Sequence, residues 1–277
     1  MSRGKTATDS GPARRPIVSA GLSDVGRKRK SNEDSFALSE DGTLLVVADG
    51  MGGHAAGEVA SRLAVESIER HISGSDPRKE PTLPASFRSP CGDEADLPAP
   101  ARRVLNAIRL ANQEIVRSVR EDSSMRGMGT TVVIVHVQGS RAYIGSVGDS
   151  RAYLVRDGGL LQLTSDHTLV NEQVRAGALS TQEARRHPAR NILTRAVDSQ
   201  EDVEPDLVEQ ELRPGDFLLL CSDGLTTMVE DADILRTILA HQDDPRAGCR
   251  ALVDLANDHG GDDNVTVVLA RVGTPAH

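Results

Sequence analysis

The chain is short of several features that other classes of protein need. Aromatic residues make up 2% of its 277 residues and tryptophan is absent, so few rings are available to stack on nucleic-acid bases. The core must therefore be filled by Val, Leu, Ile and Ala. Basic residues are also fewer than acidic ones, and 32 Lys and Arg against 41 Asp and Glu give a net charge of -9. A negative surface repels nucleic acid and anionic lipid, so neither is expected to be the main partner.

Cysteines and long apolar segments are scarce as well. Cys91, Cys221 and Cys249 form no C-x-x-C pair, which argues against a disulfide framework or a structural zinc site. None of them is followed by the x5-Arg of a cysteine-based phosphatase. No apolar run is long enough to span a membrane, and no apolar segment follows the N-terminal basic residues as a secretory signal requires. We therefore expect a cytoplasmic protein with no membrane insertion.

The domain organisation predicted from the sequence is simple. The length suits one large domain or two small ones. We expect a disordered leader over residues 1–15, one domain over 16–273 and a tail over 274–277. Residues 73–100 are rich in Pro, Ser and acids and lack periodicity, which predicts a mobile surface insertion.

Apolar patterning predicts the elements of this domain. Strands are expected at 16–23, 43–49, 130–137, 141–148, 152–156, 160–163, 217–222 and 264–272. Helices are expected at 56–71, 101–120, 231–240 and 246–258, with two short ones within 168–186. Glycine turns between the four runs from 130 to 163 suggest one antiparallel meander. Strands near both ends of the chain favour an α+β fold, in which two antiparallel sheets could carry helices outside.

Acidic residues recur at or just beyond the ends of these strands. They are Asp49, Asp223, the pair Asp262-Asp263 and, between the first two strands, Glu33-Asp34. Crowded carboxylates repel one another, and their burial is costly unless a cation compensates. Oxygen ligands favour hard ions such as Mg²⁺ or Mn²⁺. A single Asp-Gly pair is more commonly a turn, so the repeated placement is what predicts a divalent metal centre.

Six short motifs contain most of these acids and follow one another in a fixed order. They are Ser31-Asn32-Glu33-Asp34-Ser35, Ala48-Asp49-Gly50-Met51-Gly52-Gly53-His54, Gly129-Thr130-Thr131, Gly148-Asp149-Ser150-Arg151, Cys221-Ser222-Asp223-Gly224-Leu225 and Gly261-Asp262-Asp263-Asn264-Val265-Thr266. Together they resemble the metal-dependent protein phosphatases (the PPM or type 2C family) in its bacterial branch, over residues 18–272. Each motif alone is weak, but their joint order is specific.

The resemblance implies a fold and an activity. The fold is a four-layer α-β-β-α sandwich of two antiparallel sheets flanked by helices. The activity is hydrolysis of phosphoserine and phosphothreonine in proteins by a hydroxide that bridges two Mn²⁺ or Mg²⁺ ions, because paired cations lower the pKa of a shared water. The implied partners are phosphorylated proteins, including a bacterial Ser/Thr kinase whose signalling the enzyme would reverse.

The resemblance also assigns ligands to the metal centre. Asp49 would bridge the two ions, and the backbone carbonyl of Gly50 would bind one of them. Asp223 and Asp263 would be the other direct ligands. Asp149 would help to hold a third, weaker ion.

Other residues are implied to act on water and substrate. Glu33 and Asp34 would hold metal-bound waters, and Asn264 would support the site. Arg29 would grip the substrate phosphate, for which the planar guanidinium is better suited than an ammonium group. The basic neighbours of Arg29 within residues 27–30 would be solvated or steer the substrate.

Two positions depart from the wider family or leave a role open. Eukaryotic members have a histidine, a proposed general acid, where this chain has Met51, and the nearby His54 is better explained as structural or surface-exposed. A metal-bound water could then protonate the leaving group. Residues 167–198 correspond to the family's flap, in which His187-Pro188 and Arg190-Asn191 are candidates for substrate contact.

Three other interpretations were considered. Gly50-x-Gly52-x-x-Ala55 formally fits a dinucleotide-binding fingerprint, but the Pro-rich segment lies where a second strand ending in an acid is required. A phosphoprotein-binding module without turnover is disfavoured by the complete set of acids. A phosphatase acting on small phosphate esters stays open, because a fold does not define a substrate.

Overall fold

The computed structural model describes residues 16–52, 56–74, 96–200 and 202–274. Within these residues the chain forms two antiparallel sheets. The first sheet contains, in spatial order, β1 (Ile17–Asp24), β11 (Val265–Val272), β10 (Phe217–Cys221), β7 (Arg151–Arg156) and β8 (Gly159–Gln162). The second contains β2 (Asp34–Leu38), β3 (Leu44–Met51), β5 (Val132–Gln138), β6 (Arg141–Val147) and β9 (Asp206–Glu211), with β4 (Gly129–Thr130) paired to the end of β3.

Helices cover the outer face of each sheet. The second sheet is covered by α1 (Ala56–Gly74) and α2 (Ala99–Glu121). The first is covered by α6 (Asp231–Ala240) and α7 (Pro245–Asp258), together with the short α5 (Asp223–Thr226). Two further short helices, α3 (Leu169–Arg175) and α4 (Thr181–Arg186), lie between β8 and β9 in the chain. The predicted α-β-β-α sandwich is confirmed.

The side chains of single strands alternate between two apolar layers. In β3, Leu44 and Val46 pack under the helices while Leu45 and Val47 pack between the sheets. Such strands are buried on both faces, which explains why they appear in the sequence as continuous apolar runs. The middle layer consists mainly of Val, Leu, Ile and Ala, as the low aromatic content predicts.

Most predicted elements are confirmed, but the meander over 130–163 is wrong. β5 and β6 pair in the second sheet, whereas β7 and β8 pair in the first. The chain crosses between sheets at residues 148–150, where Gly148 has a φ of 101°. A Cβ at Gly148 would lie 2.6 Å from Thr131 Cβ, so only glycine fits this crossing. The predicted strand at 130–137 is also interrupted, at Thr131, into β4 and β5.

Two strands, β2 and β9, were not predicted. β9 has only two apolar residues, Leu207 and Val208, among polar and charged ones, and β2 is five residues long. Both lie at sheet edges, where one side of a strand is partly solvated and its sequence carries little apolar signal.

The limits of the predicted domain fall partly outside the described residues. The helices α1 and α2 extend two residues into either end of the predicted insertion at 73–100. Residues 75–95 of the insertion lie outside the described part of the chain, as do the predicted leader at 1–15 and residues 275–277 of the tail. Among the described helices, none is long and apolar enough to cross a membrane.

Candidate metal centre

A cleft of about 730 Å³ opens at one end of the two sheets. Most of the predicted site residues line it, although they come from five separate parts of the chain. They are Arg29, Glu33, Asp49, Gly50, Asp149, Asp223, Asp263 and Asn264. Asp34 does not line this cleft but pairs directly with Asp49 across β2 and β3. The structure therefore brings the predicted residues together at one site.

Asp49 is fixed by two threonines from the neighbouring strand segment. The backbone N–H of Thr131 donates to Asp49 O at 2.8 Å, and Thr131 Oγ1 accepts from Asp49 N at 3.1 Å. Thr130 Oγ1 also donates to Asp49 O at 2.9 Å. Asp49 N thus bonds to the side chain of Thr131 and not to its carbonyl, at the position where β4 and β5 are separated. No role was predicted for either threonine, although both belong to the motif Gly129-Thr130-Thr131.

Asp149 lies at the crossing between the two sheets. The backbone on its N-terminal side is held by His167, whose Nδ1 accepts from Gly148 N at 3.1 Å. On its C-terminal side, Ser150 Oγ hydrogen-bonds to Thr131 Oγ1 at 2.7 Å. The turn that carries Asp149 is thus tied to the residue that fixes Asp49.

The loop that carries Arg29 and Glu33 is held by the turn before β11. Asn264 Oδ1 accepts from Glu33 N at 2.8 Å, and its Nδ2 donates to the carbonyls of Val25 and Ser31 at 3.0 and 2.9 Å. One asparagine thereby satisfies three backbone groups of this loop. The geometry agrees with the supporting role predicted for Asn264.

Glycines allow three backbone segments to meet beside Glu33. Gly50 N donates to Glu33 O at 3.0 Å, and a Cβ at Gly50 would lie 2.1 Å from Gly57 O. A Cβ at Gly57 would lie 2.1 Å from Glu33 Oε2. The glycines after β3 therefore permit a close approach, as the glycine-rich sequence there suggests.

The remaining polar contacts involve Asp34 and Arg29. Ser222 Oγ donates to Asp34 Oδ2 at 2.8 Å, while Asp34 Oδ1 is buried and has no hydrogen-bond partner among the described residues. Arg29 Nη2 donates to Asp263 Oδ2 at 2.6 Å, and its side chain is half exposed. Ser222 belongs to the motif Cys221-Ser222-Asp223-Gly224-Leu225, but no role was predicted for it.

Burial raises the pKa of the carboxyl groups at this centre. Desolvation is the main cause, and the neighbouring acids add to it. The pKa of Asp34 and that of Asp223 are each raised to about 6, and that of Asp149 to about 8. The pKa of Asp49 is raised well above its ordinary value by burial and by the charges of neighbouring acids, of which Asp34 and Asp223 contribute most. The pKa of Glu33 is also raised, by partial desolvation.

The donor set fits hard divalent cations. Buried carboxylates in mutual contact, and a buried carboxylate oxygen without a partner in the described chain, are stabilised by a positive ion. Within the described residues, however, no three His, Cys, Asp or Glu side chains are grouped as ligands around one point. Asp263 contributes to this, because Oδ2 accepts from Arg29 and Oδ1 accepts from Asn264 N at 2.8 Å. A cation at Asp263 would therefore compete with Arg29.

The other residues singled out in the sequence lie only partly at the cleft. Met51 and Asn191 line the cleft, whereas His187 Nδ1 accepts from Ala189 N at 3.1 Å and so stabilises its own loop. His187 and Arg190 are not among the residues that line the cleft. His54 lies outside the described residues.

The α-β-β-α sandwich and the acidic cleft at its end are those expected of a metal-dependent phosphatase. Comparison with known proteins identifies the family. Residues 26–252 match the family Protein phosphatase 2C. The serine/threonine phosphatase stp of Listeria monocytogenes is 38% identical over 251 residues, which cover 90% of this chain and 93% of that protein. The chain belongs to the protein phosphatase 2C family, and it is a protein-serine/threonine phosphatase.

Solved structures agree with this assignment. A crystal structure of the Mycobacterium tuberculosis serine/threonine phosphatase PstP has a TM-score of 0.80 and 37% identity, with 93% of this chain and 99% of that one covered. The catalytic domain of PstP in complex with two manganese ions has a TM-score of 0.77, with the same identity and coverage. The chain spans 44% of the length of the full PstP sequence.

Proposed function

We propose that this chain hydrolyses phosphoserine and phosphothreonine in proteins with divalent cations held at the acidic end of its cleft. The observation that carries this proposal is the burial of Asp34, Asp49, Asp149 and Asp223 together, with pKa values raised by desolvation. Such a cluster is costly unless cations compensate its charge. The manganese complex of PstP supports the same chemistry.

The ligands of the cations would be Asp49, the carbonyl of Gly50, Asp223 and Asp263. Asp149 would hold a third ion. When bound, the paired cations supply an ionised water as nucleophile and neutralise charge on the phosphoryl group. Either Mn²⁺ or Mg²⁺ suits an all-oxygen set.

Three residues of the chain would act on substrate and water. Arg29 is half exposed at the cleft and would exchange its contact with Asp263 for the phosphoryl oxygens, where its planar donors can bind two at once. Glu33 and Asp34 would accept hydrogen bonds from water and so orient it.

The substrates would be phosphorylated proteins, among them a bacterial Ser/Thr kinase or its targets. Relatives named serine/threonine phosphatase and protein phosphatase support a protein substrate. We infer a reducing, cytoplasmic setting, because Cys221 and Cys249 are both free in the described structure.

The test is phosphate release from a phosphothreonine peptide, with and without Mn²⁺. Wild-type protein is expected to release phosphate only with the metal, and Asp223→Asn to lose about a hundredfold or more of that rate because a buried ligand charge is gone. Asp243→Asn, at a side chain that is 84% exposed, is the matched control and should keep full rate. Metal-independent release, or an active Asp223→Asn, would overturn the proposal. Peptide binding without turnover under any metal would favour a phosphoprotein-binding module instead.

A further inference from the structure

We propose that Asn112 is a positioning residue for the phosphopeptide, acting through the part of the cleft wall formed by residues 198–200. The proposal rests on the proposed function, since it concerns the protein part of the substrate. Asp198 and Gln200 both line the cleft. Asn112 lies on α2 and is 1% exposed, so it acts on the wall from behind and does not touch the substrate.

Asn112 clamps this wall segment by two backbone hydrogen bonds. Its Nδ2 donates to Gln200 O at 2.7 Å, and its Oδ1 accepts from Asp198 N at 3.1 Å. Asp198 Oδ1 in turn accepts from Gln200 N at 2.7 Å. The amide group therefore satisfies one donor and one acceptor of a tight turn, and the turn is fixed in relation to α2.

The clamp continues a line of contacts that begins at the metal centre. Thr130 exchanges two backbone hydrogen bonds of 2.9 Å with Val197, the residue before Asp198. The same Thr130 donates through Oγ1 to Asp49 O. The wall is thus tied to the centre on one side and to α2 on the other, so its distance from the acids is set by Thr130 and Asn112 together.

The surroundings of Asn112 show that the helix itself has no need of an amide there. The neighbouring buried positions Ile108, Ala111 and Ile115 are apolar, and an apolar residue would suit the same layer. A buried amide is tolerated only when its donor and acceptor are bonded, and here both bonds go to the wall. A phosphate group alone does not fill a cleft of about 730 Å³, so the wall is available to the peptide on either side of the phosphorylated residue.

The test compares two substrates in Asn112→Ala: a phosphothreonine peptide and p-nitrophenyl phosphate, which is too small to depend on the wall. We expect the KM for the peptide to rise about tenfold with kcat little changed, while the small ester is hydrolysed as by wild type. Amide exchange should accelerate at residues 198–200 and not in the sheets. Asn106→Ala, another buried asparagine of α2, is the control and should change neither substrate.

Each other outcome is decisive. Equal losses on both substrates would show that Asn112 supports the metal centre or the fold as a whole, and no loss with unchanged exchange would show that the clamp is dispensable; both overturn the proposal. If Asn112→Ala does not fold, Asn112→Ser, which keeps one small polar group, decides by the same comparison. If wild type hydrolyses the small ester but not the peptide, the proposed function fails, while amide exchange at 198–200 still decides whether the clamp holds the wall.

Discussion

Glycines contribute to this site through the space they leave. The Cα of Gly57 lies in the first turn of α1, directly beside the carboxylate of Glu33. Glu33 is also held through its backbone, since it donates to Asn264 and accepts from Gly50. Its backbone is therefore fixed, so a larger neighbour would move the carboxylate and not the chain.

We predict that Gly57→Ala lowers kcat/KM without destabilising the fold. A Cβ would lie 2.1 Å from Glu33 Oε2 and would displace that carboxylate, and misplacement by about 1 Å can cost roughly a hundredfold in rate. Alanine is a better helix former than glycine, so the melting temperature should not fall much. The control is Gly74→Ala in the same helix, where a Cβ would meet nothing within 4 Å. Full activity of Gly57→Ala would contradict the close approach.

The aspartates of the candidate metal centre could be predicted from the sequence, whereas the residues that position the site could not. Asp49 and Asp223 stand out because each follows an apolar run, and six ordered motifs gave them roles by resemblance. Thr131 bonds to Asp49, Ser222 to Asp34 and Asn112 to Asp198, over 82, 188 and 86 positions of the chain. Contacts of this kind depend on how strands from distant parts of the chain are arranged, so a local pattern does not reveal them.

Elements with two buried faces were predictable, while edges and crossings were not. β3, β10 and β11 have continuous apolar runs that mark them as strands. β9 is a partly solvated edge strand, and its charged residues hide it. The sequence around Gly148 is also typical of an ordinary hairpin turn. Only the pairing of β7 with β10 shows that the chain has changed sheets there. The metal-site prediction for Asp149 came from resemblance and not from the local pattern.

A largely but not fully buried ion pair fixes the connection between β7 and the segment before α3. Arg151 binds Asp166 through both Nε and Nη2, with Nη2 to Oδ2 at 2.7 Å, and the two side chains are 23% and 15% exposed. Tyr153 OH accepts from Arg151 Nη1, and Gln162 Nε2 donates to Asp166 Oδ1. The network is close in the chain to Asp149, two residues before Arg151, and to His167, directly after Asp166.

We predict that Asp166→Asn lowers the free energy of unfolding by about 3–5 kcal/mol, because it leaves the charge of Arg151 buried without its counter-ion. The matched comparison is Asp243→Asn, which breaks the exposed pair with Arg271 and should cost less than about 1 kcal/mol. Urea unfolding followed by circular dichroism measures both. Similar small losses in the two variants would show that Arg151 is solvated better than the structure indicates.

In the whole molecule, stability depends on both pH and divalent cations, because protons and cations bind the same carboxylates of the acidic centre. The folded chain holds protons on Asp149 and Asp49 at pH values where the unfolded chain, with ordinary aspartates, has released them. Stability from a group with a raised acid pKa is present at low pH and is lost as the pH rises through the folded value. Two other groups have shifted pKa values. The pKa of Asp206 is lowered to about 2 and that of His136 is also lowered, so both change protonation at lower pH than Asp149.

We therefore predict that the melting temperature of the chelated protein falls by several degrees between about pH 6.5 and pH 8.5, since Asp149 with a pKa of about 8 must ionise in a buried site. Mn²⁺ or Mg²⁺ should restore stability, and more at the upper pH, because cations bind the ionised carboxylates and protons compete with them. Asp149→Asn should flatten the fall in the chelated protein and reduce its response to cations. Differential scanning calorimetry at matched ionic strength makes the comparison, with Asp243→Asn as the control for a lost surface charge. A chelated protein whose melting temperature stays level or rises over this range would mean that the carboxylates are already ionised, and the electrostatic case for a cation centre at this end of the cleft would fail.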